Sequence, residues 1–243
     1  MKDILQDIVS HTHALGNLDL LKITTDNKTT EIESLAEDRS VILKATTHKR
    51  VDEFEGVFGM TNLGKLQLHL KNPEYREKAK IAVVSDTKDD VTYPSYMHFE
   101  NERGDFQNDF RFMNQQIIDS KLKSVKFKGV TWHLDFVPSA ASIARLKLMT
   151  SVHTEEPHVT LSTDSNGLNF SFGDAGSHAG SYVFNHDNNN QLTRDWAYPV
   201  SQMQSILNLD GDIVMKVSDE GAMQITIDSG LALYNYILPA QAK

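Results

Sequence analysis

Apolar residues recur along this chain with two alternating periods, and those periods lay out its elements. Residues 1–15 carry a helical period. At about 100° per residue, Ile4, Leu5, Ile8, Thr12 and Leu15 share one face. Lys2, Gln6, Ser10 and His13 line the other, flanked by Asp3 and Asp7. Gly16-Asn17 ends the helix. Strand-like patterns follow over residues 18–25, 29–35 and 41–47, with turns at Asp26-Asn27-Lys28 and Glu37-Asp38-Arg39. A second helix is predicted over residues 55–68. Val57, Met60, Leu63 and Leu66 form its apolar stripe, with Thr61, Asn62, Lys65 and His69 opposite. Glycines at 56, 59 and 64 each lower helix propensity by roughly 1 kcal/mol, so packing has to hold it. Strands resume over 81–85, 96–102 and 106–113.

The pattern then pauses and restarts. In residues 114–128, Lys121, Lys123, Lys126 and Lys128 interleave with Leu122, Val125 and Phe127, which reads as a basic linker. Beyond it come a strand over 130–136 and a third helix running from Pro138 to about Val152. Strands follow over 158–163, 168–172 and 181–185. A fourth helix spans about 199–209, with Val200, Met203, Ile206 and Leu207 inward and Ser201, Gln204, Ser205 and Asn208 outward. Strands over 213–217, 222–228 and 231–238 close the chain.

The two halves overlay in order. Ile23-Thr24-Thr25-Asp26 falls on Leu161-Ser162-Thr163-Asp164, and Val57, Met60 and Leu63 fall on Val200, Met203 and Ile206. Val84-Ser85-Asp86 falls on Val217-Ser218-Asp219, and Met97 through Gly104 falls on Met223 through Gly230. The chain is therefore expected to be a tandem duplication of the α+β class: two copies of a helix-plus-antiparallel-sheet unit, with helices on one face. The expected divisions are residues 1–115, a linker at 116–129, and residues 130–243.

Composition narrows the function classes. The 243 residues suffice for two domains of about 120 residues each. There are no cysteines, which removes disulfides, thiolate zinc sites and cysteine nucleophiles and fits an intracellular protein. The N-terminus carries early acids and no apolar core, so no signal peptide is expected, and no apolar run is long enough for a membrane span. A formal net charge of −9 argues against a protein that coats nucleic acid with its whole surface. Positive charge gathered on one surface remains compatible with it.

No motif for chemistry emerges. His11 and His13 lie about 200° apart on a helix, a poor chelate. His153 and His158 flank a predicted turn with Glu155, Glu156 and Pro157. The glycine-rich stretch 173–180 lacks the strand-to-helix setting and Gly-Lys-Ser/Thr ending of a phosphate loop. No nucleophile–base pair stands at a diagnostic spacing. The expectation is a protein that is not an enzyme, with no metal and no cofactor.

Two runs add a resemblance. Phe54-Glu55-Gly56-Val57-Phe58-Gly59-Met60-Thr61-Asn62-Leu63-Gly64-Lys65-Leu66 resembles the second helix of phage T4-type DNA sliding clamps, the processivity factors of polymerases. Gly230-Leu231-Ala232-Leu233-Tyr234-Asn235-Tyr236-Ile237-Leu238-Pro239-Ala240 is similar to the last strand and tail of clamps in general. The resemblance implies the DNA clamp fold and a head-to-tail homotrimer. Duplex DNA would thread the central hole without sequence preference. Partners would be a DNA polymerase, an ATPase clamp loader and, as for some phage clamps, transcription factors. The setting would be the cytoplasm of an infected bacterial host, with no membrane. On this resemblance the DNA-facing candidates are Lys2, His13, Lys65, His69, Arg145, Lys147 and Gln204. A pocket for partner tails would draw on Ile118, Leu122, Val125, Phe127, Tyr236, Leu238 and Pro239. The alternative is a non-enzymatic virion or protein-interaction protein built from a duplicated β-rich unit. A hydrolase with a spatially assembled site is a distant third.

Overall fold

A computed structural model describes residues 1–76, 78–88, 91–122, 127–174, 176, 178–186 and 191–241. The chain forms two compact units. Unit 1 is Met1–Lys126 with Ser229–Tyr234, and unit 2 is Phe127–Asp228 with Asn235–Lys243.

Unit 1 opens with α1 (Lys2–Ser10) and a short 3-10 turn, His13–Leu15. Four strands follow: β1 (Leu21–Thr25), β2 (Thr30–Leu35), β3 (Ile42–Thr47) and β4 (Gly56–Met60). Then come α2 (Leu63–Lys71), β5 (Lys80–Lys88), β6 (Val91–Glu100), β7 (Gln107–Arg111), β8 (Met113–Asn114) and α3 (Gln115–Lys121). The strands pair antiparallel in the orders β8-β4-β1-β2-β3 and β5-β6-β7. Alternation sets the buried face: Leu21 and Ile23, Thr30 and Ile32, and Leu43 and Ala45 are buried on successive strands. Helix α1 contributes Leu5, Ile8 and Val9 to this core, and α2 contributes Leu63, Leu66 and Leu70. Each such side chain is worth roughly 1.5–3 kcal/mol when buried. Asp26 turns β1 into β2 by accepting the Lys28 and Thr29 backbone N–H groups at 2.7 and 2.8 Å.

The second helix differs from the pattern-based expectation. Residues 56–60 form strand β4, and the helix starts at Leu63, after Asn62 adopts a left-handed backbone (φ 55). Gly56 has φ +104, which no helix accommodates. Gly59 lies opposite Lys22, and a Cβ there would stand 2.9 Å from Ile118 Cδ1. That glycine lets α3 press onto the sheet, where Asp119 also pairs with Lys22 at 2.6 Å. The expected basic linker thus begins as a helix, capped by Asn114 Oδ1 accepting the Ile117 N–H at 3.0 Å. Residues 123–126, with the lysines at 123 and 126, lie outside the described residues.

Unit 2 repeats the plan. After β9 (Leu134–Phe136) come α4 (Ala140–Val152), β10 (His158–Asp164), β11 (Gly167–Phe172), β12 (Gly180–Asn185) and β13 (Trp196–Pro199). Then α5 (Val200–Leu207), β14 (Asp212–Ser218), β15 (Ala222–Asp228) and β16 (Ala232–Pro239) follow, the first three residues of β16 belonging to unit 1. The order β13-β10-β11-β12 matches β4-β1-β2-β3 in unit 1. Strand β13 was not foreseen. Its Trp196 is held by Asp219, whose Oδ1 accepts the indole N–H at 3.3 Å, while Gly221 leaves room for the ring.

The register fixes the repeat. A shift of 138 residues carries the pair Leu21↔Met60 onto Val159↔Tyr198. The same shift maps Thr12, whose hydroxyl donates to Ile8 O, onto Thr150, whose hydroxyl donates to Leu146 O. In the second sheets Val83↔Met97 corresponds to Val217↔Met223, so Val83 rather than Val84 matches Val217. The overlay of Val57 and Met60 on α5 fails because both sit in β4; Leu63, Leu66 and Leu70 are the counterparts of Val200, Met203 and Leu207.

Unit 1 also holds a polar network around α1. The largely buried Asp7 carboxylate accepts from Tyr234 Oη at 2.7 Å and Ser229 Oγ at 2.9 Å. His11 Nδ1 lies 2.9 Å from the Asp7 carbonyl oxygen and 3.2 Å from its carboxylate, and the His11 ring stacks on Tyr234. Burial pushes the Asp7 pKa up, but the hydrogen bonds of His11, Tyr234 and Ser229 outweigh it and leave it below its ordinary 3.8. The folded-state pKa is depressed, so the stabilisation is present above pH 3.8 and is lost as pH falls through the lowered value. Asp7→Asn is expected to cost about 1–3 kcal/mol at neutral pH. In urea unfolding across pH, the wild-type advantage should shrink below pH 3.8; a difference independent of pH would show that the ionised carboxylate contributes nothing.

Candidate nucleic-acid interface

In each unit two helices pack together, α1 with α2 and α4 with α5. Their outward faces are the surfaces on which the DNA-facing candidates were expected. These faces differ in chemistry. On α1 the exposed positions are Asp3, Gln6 and Ser10, and on α2 they are Lys65, Leu68 and Lys71. On α5, Ser201 and Asn208 are exposed and Gln204 is half-buried, so that face is polar and uncharged. On α4, Ala141, Ala144, Arg145, Leu148 and Val152 form one exposed stripe, with Leu148 67% and Val152 70% exposed.

The candidates divide accordingly. Lys65, Arg145 and Lys147 are exposed. Lys2 is half-buried, and its Nζ donates to the carbonyls of Tyr75 at 2.6 Å and Arg76 at 3.2 Å, which ties α1 to the turn beyond α2. His13 Nδ1 lies 2.6 Å from Asp19 Oδ1, and a Cβ on Gly64 would stand 3.2 Å from its Nε2. His69 departs from the expectation: it is only 8% exposed and stacks on Phe99, with ring centroids 5.1 Å apart. Its position opposite the predicted stripe depended on counting Val57 and Met60 in that stripe. Both lie in β4, and the stripe of Leu63, Leu66 and Leu70 that remains has His69 on its buried flank. Burial, and then the charge of Lys65, lowers its pKa below 6.5, so the ring is neutral at pH 7 and offers a phosphate no charge.

The expected tail pocket is not assembled as a set. Ile118 is buried beneath α3 on Gly59, and Tyr236 and Leu238 are fully buried on the inward side of β16. These three are core. Pro239 is half-buried, Phe127 stacks on Trp132 at 6.2 Å, and Val125 lies outside the described residues. Leu122 lines a groove of about 710 Å³ in unit 1. Leu20, Leu35 and Ala36 line it beside Leu122, with Asp19, Glu37, Asp38, Arg39 and Lys121 among its polar groups. The sequence had marked residues 37–39 only as a turn. Asp38 Oδ1 accepts from Ser40 Oγ at 2.6 Å and Ser40 N at 2.9 Å, which keeps its pKa low and its charge at the groove. No cluster of three or more metal-ligating side chains occurs among the described residues.

No protein-family model and no curated protein matches the sequence. Solved structures do. A structure described as the C-terminal region of FEN-1 bound to A. fulgidus PCNA aligns over 100% of this chain and 95% of its own, with TM-score 0.65 and 11% identity. The PCNA of Thermococcus kodakaraensis aligns over 98% of this chain and 97% of its own, with TM-score 0.67 and 10% identity. This chain has the PCNA-type clamp fold. At such identities side chains are free to diverge, so the clamp fold positions the helix faces and the groove without fixing their chemistry.

The burial of Leu238 makes a direct test. Leu238→Ser should cost about 3–5 kcal/mol and lower the melting temperature. Leu122→Glu, at the groove, should leave the melting temperature within about 2 °C of wild type. Equal destabilisation by both would place Leu122 in the core.

Proposed function

We propose that this protein is a DNA sliding clamp: copies of the chain close into a ring around duplex DNA and tether a polymerase there. The observation that carries the reading is the duplicated clamp fold, matched over nearly its full length. The ring itself catalyses nothing. A clamp loader driven by ATP opens it, and the resemblance of the run at 54–66 to phage T4-type clamps supports a clamp of that type.

The repeat supports head-to-tail assembly. Strand β3 has the start of β16 as its neighbour. Shifted by 138 residues, β3 becomes β12, and the second-sheet shift of 126 residues, which carries Met97 onto Met223, makes β7 the counterpart of β16. Both β12 and β7 end their sheets. Each copy therefore presents two different edges that complement one another. Such contacts are heterologous and close into a ring when the rotation fits; three copies give six units. The exposed Leu68, at 71%, and Leu148 supply apolar surface for that contact.

The lining follows from the need to slide, which requires weak phosphate contacts and no base readout. Lys65 on α2 supplies charge, and Ser201, Gln204 and Asn208 on α5 supply uncharged hydrogen-bonding groups. The net charge of −9 disfavours DNA elsewhere on the surface. The groove beside Leu122 takes the polymerase tail.

Three measurements test this. With its own loader and polymerase on primed circular DNA, the protein should lengthen extension products, and unchanged product length would sink the clamp reading. Lys65→Ala should shorten DNA retention with the ring intact; retention equal to wild type at several salt concentrations would remove Lys65 from the lining. Leu68→Asp or Leu148→Asp should drop the solution mass from three chains toward one without changing the far-UV circular dichroism. A mass held at three chains would exclude those leucines from the contact.

A further inference from the structure

We propose that Arg145 is a contact between copies, seated against paired carboxylates of a second copy of this chain, and not a DNA ligand. The inference rests on the ring reading above and concerns how its joint is made.

The repeat locates the partner. The 138-residue shift that maps Thr12 onto Thr150 places Arg145 where α1 has Asp7. In unit 1, Asp7 faces Ser229 and Tyr234. The 126-residue shift of the second sheet turns those positions into Arg103 and Asn108. Arg145 of one copy is thereby directed at residues 103–108 of the next. The backbone bond from His48 N to Leu231 O, 2.9 Å, has His186 and Asp105 as its counterpart pair.

The receiving surface suits a guanidinium. Asn101, Glu102, Arg103, Asp105 and Phe106 border a concavity of about 680 Å³. Within it the buried Asn101 Nδ2 donates to Asp105 Oδ1 at 2.8 Å and to Glu74 Oε2 at 3.1 Å, holding two carboxylates on one amide. Arg76 and Arg103 line the same concavity, and Lys78 pairs with Glu102 at 2.8 Å. With Glu102 engaged by Lys78, Glu74 and Asp105 stand side by side on the Asn101 amide, and a planar guanidinium can bridge two such carboxylates. Phe106, 39% exposed, stands at the counterpart of the fully buried Ala232. Its ring fits a surface that a second copy covers.

The joint therefore carries charge of opposite sense to the network inside unit 1. There an anion on the helix meets hydroxyl donors; between copies a cation on the helix meets carboxylates. The two α1-type helices cannot exchange partners without burying like or unpaired charge, which is how specificity is commonly secured.

The test uses the full chain and sedimentation across concentration. Arg145→Glu should raise the concentration for half-assembly at least about tenfold, and Asp105→Arg should do the same. Both changes on one chain should return it to within about threefold of wild type, because each copy then supplies the swapped pair. If Arg145→Glu assembles like wild type, Arg145 is no copy contact and the ring stands without it. Weak single variants with no recovery in the double would overturn the pairing with Asp105. A wild-type chain that stays monomeric at every concentration would remove the ring reading itself.

Discussion

Everything in this fold depends on one-sided burial. An antiparallel strand offers alternate side chains to opposite faces, and across β1, β2 and β3 one face is buried while the other is mixed. Paired helices cover the apolar face, so each helix must be apolar on one side and can be anything on the other. The outward faces of α1, α2, α4 and α5 are accordingly the least constrained surfaces of the units. They are where chemistry can vary while the clamp fold persists, and they carry an acid, lysines, apolar residues and amides in turn. Opposite them, a single glycine at 59 lets α3 rest on the far side of the unit 1 sheet.

Much of this was legible in the amino-acid order. Ile23 and Leu161 sit at matching positions because period-two alternation survives divergence; what it preserves is burial. The class, the strand series and the duplication follow from that. The failure at residues 55–60 has an equally physical origin. Val57, Met60 and Leu63 satisfy a helical spacing, yet Gly56 and Gly59 serve a strand that pairs with β1 and underlies α3. Tertiary packing overrode a local period that fitted both readings. Strand β13 escaped because four residues are too few to show a period, and what orders them is the ladder with β10 and the bond from Trp196 to Asp219, both far along the chain.

The candidate site was less legible than the fold. A helical wheel places His69 only against a known apolar stripe, and an eight-residue error at the helix start counted Val57 and Met60 in that stripe and set His69 opposite it, whereas it is buried. Tyr236 and Leu238 looked like pocket material because apolar residues near a terminus are ambiguous without depth. The groove beside Leu122 is built from three short segments separated by as many as a hundred residues, a juxtaposition that no spacing rule encodes. Arg145 could be seen as a basic residue on a helix; its correspondence to Asp7 appears only once register is known.

The uncharged face of α5 carries a consequence for motion. A body travelling along a helix of phosphates crosses an energy barrier each time a cation lets go of one oxygen and takes the next. Amides and hydroxyls such as Gln204 and Ser201 exchange such contacts, or waters in their place, at a small fraction of that cost. In the proposed ring such a lining would give a smoother potential along the track. Friction would be set by water rather than by ion pairs, and diffusion would respond less to salt than capture does.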